Sequence, residues 1–369
     1  MTVSISGTGG VTFNDNSVQD TAATGFGFKN RIINGAMVID QRNAGAAVTS
    51  SGSFPVDRFR LGFTMDGACS AQQDTVAPAG FVNSLKFTTT TADTNLSASQ
   101  VVFMQQRIEG NNLSDLGWGT ASAQTVTLSF WVHSSLTGTF GGSIQNSAEN
   151  RSYPFTYAIS SANTWEQKSI TISGDTSGTW LTTNGIGIRL NFSMGAGSSL
   201  SGTAGAWAGA DLISATGAVS VIGTLSATWQ VTGVQLEKGS TATSFDYRPY
   251  STELQLAQRY YFKILPASAN QTFGPGFNDS TTSARAVAQF PVVMRTAPTA
   301  LEQTGTAADY QIRFTGGGAT NCSSVPTFSD SNPYTAAFNF TVASGLTGGQ
   351  AILNRSTNST AFLAWSAEL

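Results

Sequence analysis

Hydrophobic residues in this chain recur mostly at every second position. In FPVDRFRLGF the pattern runs through Phe59, Leu61 and Phe63, and in QTVTLSFWVHSS through Val126, Leu128, Phe130 and Val132. A period of two sets one face of a strand against a core and the other toward solvent. LKFTTT, QVVFMQQRIEG, PFTYAIS, WEQKSITIS, IGIRLNFSM and TWQVTGVQLEKG read as further strands, set apart by Gly, Ser and Asn turns. With no helical pattern between them, the expected fold is all-β, an antiparallel jelly-roll β-sandwich over residues 28–250. Helical spacing appears once, where Leu254, Ala257 and Tyr261 follow Pro249 and predict a connecting helix over 251–264. ARAVAQFPVVM, DYQIRFTG, AAFNFTVAS and TAFLAWSAEL then predict a second, smaller β-domain over 265–369.

The first 27 residues break the pattern. Val11, Phe13 and Val18 are nearly all that SISGTGGVTFNDNSVQDTAATGFG offers toward a core. A lone hairpin is marginal in water, so this segment is expected to be held by neighbours or by copies of itself.

Composition sharpens the strand reading and removes several functions. Of 369 residues, 40% are hydrophobic and only 11% charged, and the 39 Gly go with long runs of Ser, Thr and Asn, a balance that favours sheets and tight turns. A net charge of -3 gives no electrostatic reason to bind nucleic acid or an anionic membrane, and neither partner is expected. No window approaches the roughly 20 apolar residues of a membrane span. MTVSISGTGG has neither the basic start nor the apolar core of a signal peptide, so assembly in a cytoplasm is expected. Cys69 and Cys322 are far apart in sequence and read as free buried thiols. Asn191-Phe192-Ser193 reads as a surface turn.

Residues that could carry chemistry are few. His133 is the only histidine, lies on a strand and follows no nucleophile elbow, which makes it a structural or surface residue. One His and two distant Cys make no zinc set, and no cofactor motif is present; a calcium ion held by scattered oxygens stays open. Glu237 and Asp246, in GVQLEKGSTATSFDYRPY, could form a glycosidase pair only if the chain folded back between them. The simpler account gives them ion pairs at a domain edge, with Phe245 and Tyr247 covering the end of the core. In VDRF, Asp57 and Arg58 are expected to lock one strand register. Around Trp207 two readings stand, a flexible crossover on the rim or an exposed ring on which a sugar stacks.

The order of several pieces carries a family resemblance. FKNRIINGAMVIDQRNAG, VDRFRLGF, LSFWVHSSLTGTF, NTWEQKSITISGDTSGTW and VTGVQLEKGSTATSFDYRPYSTELQLAQRYY follow one another as in phage and prophage tail-fibre proteins, whose domain is similar to jelly-roll carbohydrate-binding modules. The resemblance runs from about residue 29 to 262, and GGVTFNDNSVQDTAA resembles the attachment segments of such fibres. It implies a virion structural protein without enzymatic activity. Such a protein would be a homotrimer docked onto other virion proteins through Val11, Phe13 and Val18, and would bind a host surface glycan. Trp180, Trp207, Tyr310, Tyr334 and Trp365 are the candidate sugar-stacking residues, with 265–369 expected to lie nearest the host. A capsid decoration or head-fibre protein shares these features. A depolymerase of surface polysaccharide would usually need a β-helix repeat, and none is visible.

Overall fold

A computed structural model describes residues 28–369 apart from Thr315, together with three short strands of the N-terminal segment. These are β1 (Ile5–Ser6), β2 (Gly10–Thr12) and β3 (Val18–Gln19), paired antiparallel in that order. Val11 and Val18 fall on β2 and β3; Phe13, and the attachment role expected of all three, lie outside the described residues.

The sandwich begins with β4 (Phe59–Thr64), β5 (Ala68–Asp74), β6 (Ser84–Thr91) and β7 (Val101–Glu109). It continues through β8 (Val126–Ser134), β9 (Gly138–Gln145), β10 (Ser152–Ile159), β11 (Glu166–Ile172) and β12 (Ile186–Ala196). After the two-residue strands β13 (Ser201–Gly202) and β14 (Ser214–Ala215), β15 (Thr228–Lys238) completes it. One sheet has the order β10-β9-β12-β7-β4 and the other β11-β8-β15-β6-β5, each antiparallel throughout. The chain crosses repeatedly from one sheet to the other, which makes the sandwich a jelly roll. Between the sheets Phe130 meets Tyr157 and Phe192 at 5.1 Å, and the buried Trp229 donates from Nε1 to the Tyr157 hydroxyl at 3.0 Å.

Two strands of the sandwich carry only a weak alternating hydrophobic signal. β5 packs with small residues, Cys69 and Ala71, both 1% exposed. β9 reads GTFGGSIQ because a side chain at Gly142 would meet the Asn191 carbonyl at 2.3 Å and the Phe155 ring at 2.5 Å, while one at Gly141 would meet Ser214 Oγ at 2.4 Å. Glycine there lets a core ring and a covering loop approach the same strand.

The helix α1 (Tyr250–Gln258) is shorter than the 251–264 expected from spacing. Tyr260 and Tyr261 are buried, but Tyr261–Ile264 forms β16 and pairs with a strand near the end of the chain, so a long-range pairing overrides the local helical spacing. The C-terminal unit adds β17 (Thr272–Asn278), β18 (Ser283–Gln289), β19 (Glu302–Gln303), β20 (Tyr310–Phe314) and β21 (Ala319–Asn321). It ends with β22 (Thr327–Ser331), β23 (Thr335–Thr341), β24 (Ala351–Ser356) and β25 (Leu363–Ser366). A seven-stranded sheet, β21-β20-β24-β17-β18-β23-β22, stands beside a three-stranded one, β16-β25-β19. Their shared core holds Phe273, Tyr310, Phe338, Phe340 and Trp365.

Charged residues join the two units. Arg259 pairs with Glu109 at 2.6 Å, Tyr260 donates its hydroxyl to the same carboxylate at 2.7 Å, and Arg42 and Arg58 both pair with Glu368. The guanidinium carbons of Arg42 and Arg58 lie 3.6 Å from the ring centres of Tyr261 and Tyr260. Asp57 and Arg58 therefore do not lock a register together: Asp57 takes Gln41 and Arg42, while Arg58 reaches the C-terminal unit.

Candidate functional site

Of the five aromatics expected to stack on sugar, two are core residues. Tyr310 and Trp365 are fully buried, so neither presents a ring face to solvent. Their alternation within DYQIRFTG and AFLAWSAEL points them inward, and the inward face of a strand is where large rings are buried. Tyr334 is exposed, in the turn before β23. Trp180 and Trp207 are half-buried and pack edge to face with each other and with Trp118, at 4.7 to 5.4 Å. Trp207 donates to the Ser173 carbonyl, and Arg151 grips Asp175 with two hydrogen bonds beside it. These tryptophans plug one end of the sandwich and anchor a loop that runs along its edge. Ala208 bridges Ser152 on β10, and the loop then brings Asp211 to Gln145.

That loop borders the outer face of the sheet β10-β9-β12-β7-β4, where register aligns a set of polar residues. Gln105 stands opposite both Arg60 and Asn191, Arg189 stands opposite both Arg107 and Gln145, and Asn191 is opposite Ser143. Side chains of directly opposed residues share a face. They form a relay in which each amide donates to the next. Arg107 Nε donates to Gln105 Oε1 at 2.7 Å, Gln105 Nε2 to Asn191 Oδ1 at 2.8 Å, Asn191 Nδ2 to Gln145 Oε1 at 2.8 Å, and Gln145 Nε2 to Asp211 Oδ1 at 2.7 Å. The three amides are 2% exposed or less, so their orientations are fixed before anything binds.

On the same face Phe103, opposite Gly62, sets the edge of its ring against that glycine, its Cζ 2.4 Å and Cε2 2.5 Å from where a side-chain carbon would begin. Arg60 Nη1 borders the same spot at 3.1 Å. Phe103, Arg60, Arg107 and Arg189 are half-buried, and the arrangement combines one aromatic ring, three guanidinium groups and a locked amide floor.

None of these residues is among the five aromatics expected from the sequence. The signal is the outward set of strands already recognisable by alternation, Phe103, Gln105 and Arg107 in QVVFMQQRIEG and Arg189 and Asn191 in IGIRLNFSM. Asn191 is thus fully buried mid-strand, where a surface turn was expected from its Asn-x-Ser context.

The carboxylates of GVQLEKGSTATSFDYRPY are occupied by their own chain. Glu237 accepts from the Thr243 N–H at 2.9 Å, the Thr243 hydroxyl at 2.7 Å and Gln235 at 2.8 Å, and Asp246 accepts from the N–H groups of Lys29 and Asn30. Lys238 reaches Asp115 rather than Glu237, and Arg248 pairs with Asp246 at 3.9 Å, as expected, and with Glu253 at 3.3 Å. Phe245 and Tyr247 do close over Phe81, with ring centres 4.8 to 5.5 Å apart. His133 lies 5.3 Å from the Trp165 ring, and burial pushes its imidazole below the ordinary range. Cys69 and Cys322 are free and buried, and burial pushes both thiols up to about 12. No group of three or more His, Cys, Asp or Glu able to hold a metal occurs among the described residues.

Neither a family model nor a curated protein matches the chain. Solved structures similar to it include the enzymatically active domain of tailspike protein 4 of bacteriophage CBA120, at 14% identity and a TM-score of 0.33 over 57% of this chain and 22% of that one. The family 11 carbohydrate-binding module of a cellulosomal cellulase of Clostridium thermocellum is similar at 12% identity and a TM-score of 0.27, over 54% of this chain and 99% of that one. The CBM22-1 and GH10 modules of endo-1,4-β-D-xylanase 10B of the same organism, solved with xylohexaose, are similar at 12% identity and a TM-score of 0.27, over 53% of this chain and 29% of that one.

Proposed function

We propose that the chain is a non-enzymatic phage fibre protein that holds a host surface glycan on the outer face of its sandwich. The observation that carries this reading is the Phe103 ring against Gly62, beside the half-buried guanidinium groups of Arg60, Arg107 and Arg189, with the buried relay of Gln105, Asn191 and Gln145 bracing Arg107 from beneath. Sugars present C–H faces that stack on aromatic rings and hydroxyls that need directional partners, and groups fixed in advance lose little freedom on binding. Binding without cleavage fits the hydrogen bonds that tie Glu237 and Asp246 to their own backbone.

The place in a fibre rests on the resemblance of residues 29 to 262 to tail-fibre proteins and on the core-poor first 27 residues, which would join three copies and dock them to other virion proteins. A capsid or head fibre would use the same parts.

Two measurements test this reading. Full-length protein binds host cells, and Phe103→Ala reduces that binding at least tenfold while its melting temperature stays within a few degrees; undiminished binding by the variant sinks the site. Light scattering gives about three times the 38.4 kDa chain mass; a stable monomer at micromolar concentration sinks the trimer.

A further inference from the structure

Three arginines share the outer face of the sandwich. Arg107 and Arg189 stand opposite one another on β7 and β12, and Arg60 is on the adjoining β4, opposite Gln105. Two carboxylates stand beside this group, Glu149, 3.1 Å from Arg189, and Asp211, which accepts from Gln145 opposite Arg189. Arg107 is held by Gln105 and by a backbone oxygen of Leu369, while Arg60 has no ion-pair partner among the described residues. Arg189 Nε is buried without a hydrogen-bond partner.

Like charges on adjacent strands destabilise a sheet, and half-burial weakens the screening that would otherwise relieve them. Both effects are visible in the guanidinium groups. Burial first, and then repulsion from Arg189, pulls Arg60 and Arg107 below the usual range, Arg107 to about 10. Such a cluster is complementary to an anion with two oxygens, because a guanidinium meets a carboxylate in a fork of parallel hydrogen bonds. Phe103 adds an aromatic ring beside Arg60.

We propose that this face selects an acidic glycan, the carboxylate of a uronic-acid residue being received by Arg60 with Arg107 and Arg189 while the sugar ring stacks on Phe103. The inference rests on the glycan-binding reading above and adds the chemical class of the ligand. A neutral sugar would leave Arg60 unpaired and the repulsion in place. A simple anion would relieve the charge but leave Phe103 unused.

The test titrates full-length protein with trigalacturonate and with the matching neutral galactose trisaccharide, using sulfate as the simple-anion control. The acidic trisaccharide is expected to bind at least tenfold more tightly, increasingly weakly as salt is raised. Arg60→Gln erases the gap and Arg60→Lys keeps part of it, both at unchanged or higher melting temperature. Equal binding of the two trisaccharides, or a gap that survives Arg60→Gln, overturns the acidic class and leaves glycan binding standing. Sulfate that competes at the trisaccharide's own concentration reduces the face to an anion site and also overturns it. Silence toward these probes and toward a broad array of neutral and acidic oligosaccharides overturns the glycan reading, and this inference with it.

Discussion

At the scale of single residues, the site depends on a glycine. A side-chain carbon at Gly62 would lie 2.4 Å from Phe103 Cζ, closer than atoms can stand, so the ring must leave its position. Gly62→Ala is therefore expected to cost about 1 kcal/mol of stability, as overpacking does, and to weaken glycan binding tenfold or more, as read by chemical unfolding and by titration. Binding unchanged in the variant would mean that the Phe103 ring is not the platform. The sequence shows Phe103 only as one outward residue of a strand, and nothing local marks Gly62 as its seat. Rings are conspicuous as letters, but whether they face solvent depends on the face of the strand. That is why Tyr310 and Trp365, chosen for their type, are core residues, whereas Gln105 and Asn191, inconspicuous by type, form the amide relay.

At the scale of elements, alternation was a dependable guide wherever a strand had large residues on one face. β7, β8 and β15 fall within segments that the period of two picks out, and β4 and β12 run only one or two residues past theirs. It missed β5, whose inner positions are the small Cys69 and Ala71, and β9, where Gly142 interrupts the inward Phe140 and Ile144 because the Phe155 ring takes its space. It also ran past the end of α1, where β16 is drawn into pairing with β25 across about a hundred residues of sequence. The junction of β7 with α1 gives a prediction of its own. Burial of Glu109 raises its carboxyl, but hydrogen bonds from Arg259 and Tyr260 outweigh that and hold it below the ordinary value of 4.5. A carboxyl whose folded pKa is depressed contributes stability above its unfolded pKa and loses it as pH falls through the folded one. Breaking a buried pair costs about 3 kcal/mol or more, less here because Arg259 is partly exposed. Glu109→Gln should thus cost about 1 to 2 kcal/mol in urea unfolding at pH 7, and progressively less as pH falls below 4.5 toward the depressed folded pKa. A loss that stays constant from pH 7 to the acid unfolding transition would contradict the assignment.

At the scale of the whole molecule, the account places glycan recognition on the sandwich and gives the C-terminal unit a supporting part, since three of its large rings, Tyr310, Phe338 and Trp365, are buried. The order of the segments points to the opposite arrangement, with the end of the chain farthest from an N-terminal anchor and nearest the host. The two arrangements protect different strands when ligand binds. Hydrogen exchange on the full-length protein, with and without polysaccharide extracted from a bound host, separates them directly. The account predicts slowed exchange along β4, β7 and β12, around Arg60, Phe103, Arg107 and Arg189. Protection confined to the C-terminal unit, around the exposed Tyr334, would contradict it.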